Sequence, residues 1–214
     1  MKNIIFLTGH YGSGKSEVAI NLSLLNKVDY LIDLDIINPY FRTRELEQIC
    51  SSNKIKLISS PIKDGLGSDL PYISKEIYIP FITNKKAVYD LGGDPVGAKL
   101  INQFSEFDFK NVHIFLVINV FREETSDCNK IIKLIKDIEN CTNRKITGLI
   151  NNSNLLRKTS YEDILYGQKV IDEVSESTNL KIMYTSINKN LLNQKTVFKG
   201  KIIPLNLFLR KEWM

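Results

Sequence analysis

The chain has 214 residues, 43% of them hydrophobic, with 29 basic and 24 acidic side chains giving a formal charge of +5. That is enough for one well-buried core and short for two catalytic domains, so a single domain over residues 1–214 is predicted. The composition excludes a membrane span, which needs ~18 to 20 consecutive apolar residues, a CxxC metal cage or disulfide framework, and a dense basic surface for nucleic acid; a cytoplasmic protein with reduced cysteines is expected.

In chain order, residues 3–7 predict a first strand. Gly9-His10-Tyr11-Gly12-Ser13-Gly14-Lys15-Ser16 follows at once and fits GxxxxGK[ST] without a mismatch. Residues 17–25 then predict a helix opened by Glu17, with Val18, Leu22 and Leu25 on one face. Strand, glycine-rich loop and helix together form a phosphate cradle. Glycines let successive backbone N–H groups turn inward, the helix N-terminus adds a positive dipole end, and Lys15 can reach β- and γ-phosphates. Ser16 would offer its hydroxyl to Mg²⁺.

A second strand, 29–34, ends in Asp33-Leu34-Asp35, whose two carboxylates point to one side of the strand toward a metal or its neighbouring water. Residues 38–45 then mix Pro39, Tyr40 and Phe41 with Arg42 and Arg44, which suits either a nucleotide-sensitive contact surface or aromatics packed beneath solvated arginines. Strands follow at 55–58 and 86–91. The latter carries Asp90 before Gly92-Gly93, an arrangement suited to an outer-sphere Mg²⁺ ligand and a mobile loop near a γ-phosphate, or to a tight turn.

Further strands are predicted at 111–120, 145–150 and 180–184. Between the first two, Ile131, Leu134, Ile135 and Ile138 share a helical face. Residues 201–208 read as one more strand at an edge, and 205–214 as a tail or a short apolar-basic segment at a membrane surface. Several strands are apolar almost throughout, as strands covered on both faces are. Repeated βα units imply an α/β, three-layer, doubly wound, mostly parallel sheet.

Gly9 to Ser16, Asp33-Leu34-Asp35 and Asp90-Leu91-Gly92-Gly93 resemble the MinD/ParA-like ATPases of the SIMIBI class of P-loop NTPases, which include the CobQ/CbiA nucleotide-binding domains. The longer runs GHYGSGKS, DLDIINPYFRTRE and DLGGDPVGAKL are similar to a little-characterised bacterial group of ATP-binding proteins in that class. The resemblance implies ATP and Mg²⁺ as cofactors and ATP hydrolysis as the activity. Lys15 and Asp35 would be catalytic, Asp35 positioning the attacking water. Ser16, Asp33 and Asp90 would hold the metal or its waters. Residues Gly9 to Glu17, with Gly92 and Gly93, would surround the nucleotide, and Asn151 or its neighbour Asn152 would read the base. The Asn-Lys-x-Asp pattern that selects guanine is absent, which favours ATP.

The resemblance also implies a homodimer and a protein partner reached through residues 38–45. The sequence departs from the family at His10, where MinD/ParA ATPases carry a signature Lys that reaches across a dimer. A neutral imidazole is no permanent cation, so slow basal turnover is expected. The alternatives within the same fold are an ATP-dependent small-molecule kinase, a CobQ/CbiA-like amidoligase, and a protein that keeps nucleotide as a structural ligand.

Overall fold

The computed structural model describes residues 4–35, 44–59, 74–192 and 198–209. Its eight strands are β1 (Ile4–Thr8), β2 (Tyr30–Asp33), β3 (Lys56–Ser59), β4 (Ala87–Asp90), β5 (Val112–Ile118), β6 (Gly148–Asn151), β7 (Ile182–Asn188) and β8 (Lys201–Leu205). The helices are α1 (Lys15–Asn26), α2 (Arg44–Ser52), α3 (Ile79–Thr83), α4 (Pro95–Ala98), α5 (Cys128–Thr142) and α6 (Tyr161–Thr178). The strands form one sheet in the order β3-β2-β4-β1-β5-β6-β7-β8. Each pairing in it is parallel.

A parallel strand has no solvent face, and β1 accordingly buries all five of its residues. Its alternate side chains divide the interior into two layers. Ile4 and Phe6 join a cluster with Ile131, Ile135 and Ile138 of α5 and Ile171 and Val174 of α6. Ile5 and Leu7 join another with Val18, Ala19 and Leu22 of α1 and Leu46 and Cys50 of α2. Helices therefore cover both faces, which is the three-layer α/β arrangement predicted. Leu25, expected on the buried face of α1, is instead 43% exposed near the helix end.

From β1 the chain moves to one side of the sheet for β2, β3 and β4, then crosses to the other side for β5 onward. Strand order thus reverses around β1, and the crevice outside the carboxyl ends of such strands is where α/β sheets bind ligands. Register fixes which groups meet there: Leu7 lies beside Asp90, and Asp33 beside Asp90 on the other flank. The predicted edge strand 201–208 is β8, shorter than expected, with Pro204 paired opposite Ile187.

α6 begins with a capping box, in which Ser160 Oγ accepts from Asp163 N and Asp163 Oδ2 accepts from Ser160 N. Its buried face includes Gly167 and Gln168 among Ile164, Ile171 and Val174. Gly167 lies against Ser153, where any Cβ would collide with that side chain.

Phe6 anchors the layer beneath α5: it is fully buried, stacks on Tyr89 at 4.4 Å and meets Phe104 edge-on at 5.3 Å. Phe6→Ala should remove about 3 to 5 kcal/mol of stability through lost burial and the cavity left behind. Urea denaturation followed by far-UV circular dichroism checks this, with the midpoint expected to fall and the slope to hold.

Candidate nucleotide-binding site

The loop between β1 and α1 turns through Gly14, whose left-handed backbone (φ 84°, ψ 22°) caps α1 without a side-chain hydrogen bond. The first N–H groups of the helix therefore point into the loop, ready for an anion. Only glycine suits this position, because a Cβ would also strike the Asn152 amide. Gly9 (φ 149°) is held as closely, against the Val117 carbonyl of β5. The loop closes on itself through Ser13 N donating to the His10 carbonyl at 3.1 Å, and Lys15 Nζ donates to the same carbonyl at 3.4 Å. Gly12, at the loop's outer rim, has its carbonyl bound by Arg122 Nε at 2.9 Å.

Lys15 is buried at 5% exposure, and a Cβ at Gly93 would come within 3.0 Å of its Nζ and 2.9 Å of Tyr11 Cα. The chain after β4 thus lies directly against the loop, and glycine permits the approach. Gly92 in turn packs on Gly97 of α4. Tyr11 itself is 59% exposed at the mouth of the site.

Ser16 Oγ donates to Asp90 Oδ2 at 2.6 Å. Asp90 is fully buried, and its second oxygen, Oδ1, has no hydrogen-bond partner among the described residues. Burial pushes the Asp90 carboxyl up to about 6; Lys15 and Ser16 pull it down, and Asp35 adds repulsion. Asp33 Oδ1 accepts from the backbone N–H of Asp35 at 2.9 Å and so fixes the turn that presents Asp35 to the cleft. Among the described residues no group of three or more His, Cys, Asp and Glu side chains gathers to hold a metal by itself. A serine hydroxyl bonded to a buried carboxylate with an orphaned oxygen fits Mg²⁺ that arrives with phosphate oxygens and retains water.

The cleft has a volume of ≈ 370 Å³, and His10, Lys15, Asp35, Asn152, Leu156, Leu205, Leu207 and Leu209 are among the residues that line it. Two of the predicted site residues are held by the protein itself. Asn151 lies inside the fold rather than on the cleft: its Oδ1 accepts from Ser153 N at 3.0 Å and its amide faces the Ile164 carbonyl of α6. Strand pleating sends Asn151 to the α6 side, and Asn152 takes the loop side, donating to the Ser13 carbonyl at 2.7 Å. The Glu17 carboxylate accepts from Phe208 N at 3.0 Å and Leu209 N at 2.7 Å, and Glu17 lines the cleft.

His10 turns its Nδ1 toward the Tyr11 carbonyl at 2.9 Å and lies 3.6 Å from Glu124 Oε2. Asn119 braces the exits of β5 and β6, accepting from Phe121 N and donating to the Asn154 carbonyl. Sequence reasoning missed Arg122 and the tail leucines as cleft residues. No local motif marks them; only the topology of the sheet brings them in. The aromatic and arginine residues 38–43 lie outside the described residues.

No family model matches the chain, and no curated protein matches it. Solved structures do. FtsY from Mycoplasma mycoides aligns with a TM-score of 0.53 and 17% identity, over 88% of this chain and 62% of that one. The signal recognition particle receptor FtsY from Elizabethkingia anophelis, in complex with GDP, gives 0.53 and 13%, over 88% and 58%. The signal recognition particle 54 kDa protein from Aeropyrum pernix K1, in complex with GDP, gives 0.52 and 15%, over 85% and 41%. The chain spans less than two thirds of each of these proteins. At 13% to 17% identity these neighbours show the fold alone, and none of the three is a MinD/ParA protein. The fold of this chain is the P-loop NTPase fold.

The lifted Asp90 carboxyl predicts a pH effect on the ligand-free, Mg²⁺-free protein. Its folded-state value of about 6 lies above the ordinary 3.8, so across that interval the folded protein holds a proton that the unfolded chain releases. Stability should therefore fall as pH rises from about 4 through 6, and Asp90→Asn should remove that component of the slope. Thermal melts of both proteins across this range measure it as a widening melting-temperature gap in favour of the variant.

Proposed function

We propose that the chain is a Mg²⁺-dependent nucleoside triphosphatase that favours ATP and works as a nucleotide-driven switch. The observation that carries this reading is the hydrogen bond from Ser16, in the first turn after the left-handed Gly14, to the buried Asp90, with Lys15 buried next in sequence. That grouping supplies anion-binding amides, a cation for the outer phosphates and a hydroxyl and carboxylate for a divalent ion.

In this mechanism Lys15 and the loop amides hold the β- and γ-phosphates, and Ser16 and Asp90 would hold Mg²⁺. When bound, Mg²⁺ supplies charge neutralisation along the triphosphate. Asp35, fixed by Asp33, orients a water in line with the γ-phosphorus. The water oxygen bonds to phosphorus as the bond to the bridging oxygen breaks, releasing ADP and phosphate, with the water's proton carried away on phosphate. The contact between Gly93 and Tyr11 links phosphate occupancy to the segment after β4.

Base choice follows from acceptors. Guanine presents N1–H and an amino group on one edge, a pair best met by a carboxylate. Among the described residues the carboxylates on the cleft are Glu17, Asp35 and Glu124. Glu17 is bound to tail amides, Asp35 belongs to the phosphate end, and Glu124 faces His10. Asn152 Oδ1, an acceptor without a partner among the described residues, suits the amino group of adenine. The neighbours with GDP share the fold at 13% and 15% identity, too distant to carry a base preference across.

Calorimetry and phosphate release test the reading together. Lys15→Ala should weaken ATP binding about 10- to 100-fold, the worth of charge-assisted hydrogen bonds of ~1.5 to 3 kcal/mol. Asp35→Asn should keep ATP affinity and lose hydrolysis by about 100-fold. Wild type should bind ATP several-fold more tightly than GTP. Unchanged ATP affinity in Lys15→Ala would remove the phosphate-loop assignment, and tighter GTP binding would turn the reading into that of a GTPase.

A further inference from the structure

The tail after β8 does not run on along the sheet edge. It crosses α1 and is tied there by four hydrogen bonds. Asn21 Nδ2 donates to the Asn206 carbonyl and Asn206 N donates to Asn21 Oδ1, both at 2.9 Å. One helical turn earlier, the Glu17 carboxylate accepts from Phe208 N and Leu209 N. Glu17 and Asn21 sit at i and i+4, hence on one face of α1, and both are buried at 7% and 4% exposure. A buried Asn in mid-helix is costly unless its amide is matched, and the tail matches it on both atoms.

The tie carries Leu205, Leu207 and Leu209 into the wall of the same cleft that the phosphate loop lines. Glu17 follows Ser16 directly, so the tail is fastened one residue beyond the hydroxyl proposed for Mg²⁺. Leu156 and Asn152 line the cleft as well, so it joins apolar side chains to an amide. A cleft of ≈ 370 Å³ lies in the range of small-molecule sites, which join an apolar lining to a few fixed polar groups.

We propose that residues 205–209, held by Glu17 and Asn21, form the nucleobase site, with the tail leucines as the surface on which the purine ring lies. The proposal rests on the nucleotide-binding reading above and adds the residues that hold the base. It assigns Glu17 a positioning role in place of a nucleotide contact. It also makes the base grip separable from the phosphate grip, because the tail leucines line the cleft without belonging to the loop.

The test compares ATP with inorganic triphosphate, each with Mg²⁺, by calorimetry on wild type, Leu207→Ala, Leu209→Ala and Asn21→Ala. Leu207 and Leu209 are only partly buried, so their truncation should leave the fold standing, and melting curves verify this. Asn21→Ala loosens the tie from the helix side without touching the leucines. The expected result is a loss of about tenfold in ATP affinity in each variant, from apolar contact worth ~1 to 2 kcal/mol, with triphosphate affinity unchanged within about twofold. Unchanged ATP affinity, or equal losses for ATP and triphosphate, would overturn the proposal. Wild type that binds neither ligand would instead overturn the nucleotide-binding reading on which it rests.

Discussion

A strand that enters a helix through a left-handed glycine leaves peptide N–H groups with no partner of their own. The rest of the site is arranged around that deficit. The Gly14 turn requires that no side chain stand where the Asn152 amide lies, and Asn152 in turn holds the Ser13 carbonyl from outside. Gly9 brings the loop hard against β5, and Arg122 ties the Gly12 carbonyl to the segment after that strand. The Gly12 and Ser13 carbonyls are thus drawn outward to the segments after β5 and β6, away from the cavity. The loop's shape is therefore a property of the parallel sheet, which brings β1, β5 and β6 side by side.

The acidic residues follow the same logic. A carboxylate buried as completely as Asp90 is expensive to ionise, and the Ser16 hydroxyl and the nearby Lys15 charge offset only part of that cost. Its unpartnered oxygen is a demand for a cation or a water, held in place by the register of β1, β4 and β2. Asp35 stands at the cleft because Asp33, one pleat earlier, bonds its backbone N–H. Two carboxylates that look equivalent in sequence thus take different parts, one shaping the turn and the other lining the cleft.

Much of this was legible beforehand. Strands buried on both faces announce themselves as unbroken apolar runs, and a phosphate cradle is written in eight consecutive residues. α6 was not, because Gly167 and Gln168 interrupt its apolar face, and their burial makes sense only once Ser153 and the Lys199 backbone are placed against them. The choice between Asn151 and Asn152 depends on the pleat of β6, where a shift of one residue exchanges the two faces of the sheet. Leu149 lies with the α5 and α6 cluster and Ile150 with the α1 cluster, so Asn151 belongs to the former side. The engagement of Glu17 was hidden for another reason. Its partners lie 191 and 192 residues away in sequence, and nothing local to either segment signals the other.

Pro204 gives the last strand a property of another kind. An open edge of a sheet is a template on which further chains can pair, and proteins blunt such edges with proline and lysine. β8 begins at the exposed Lys201 and carries Pro204 one residue before its end, so it offers an incoming strand a charge at one end and a residue without a main-chain donor near the other. The departure of the tail toward α1 then ends the edge altogether at Leu205. An eight-stranded parallel sheet assembled from distant segments exposes its edges for long periods during folding. On this side the molecule is protected against self-association by the same few residues that carry the chain back over its first helix.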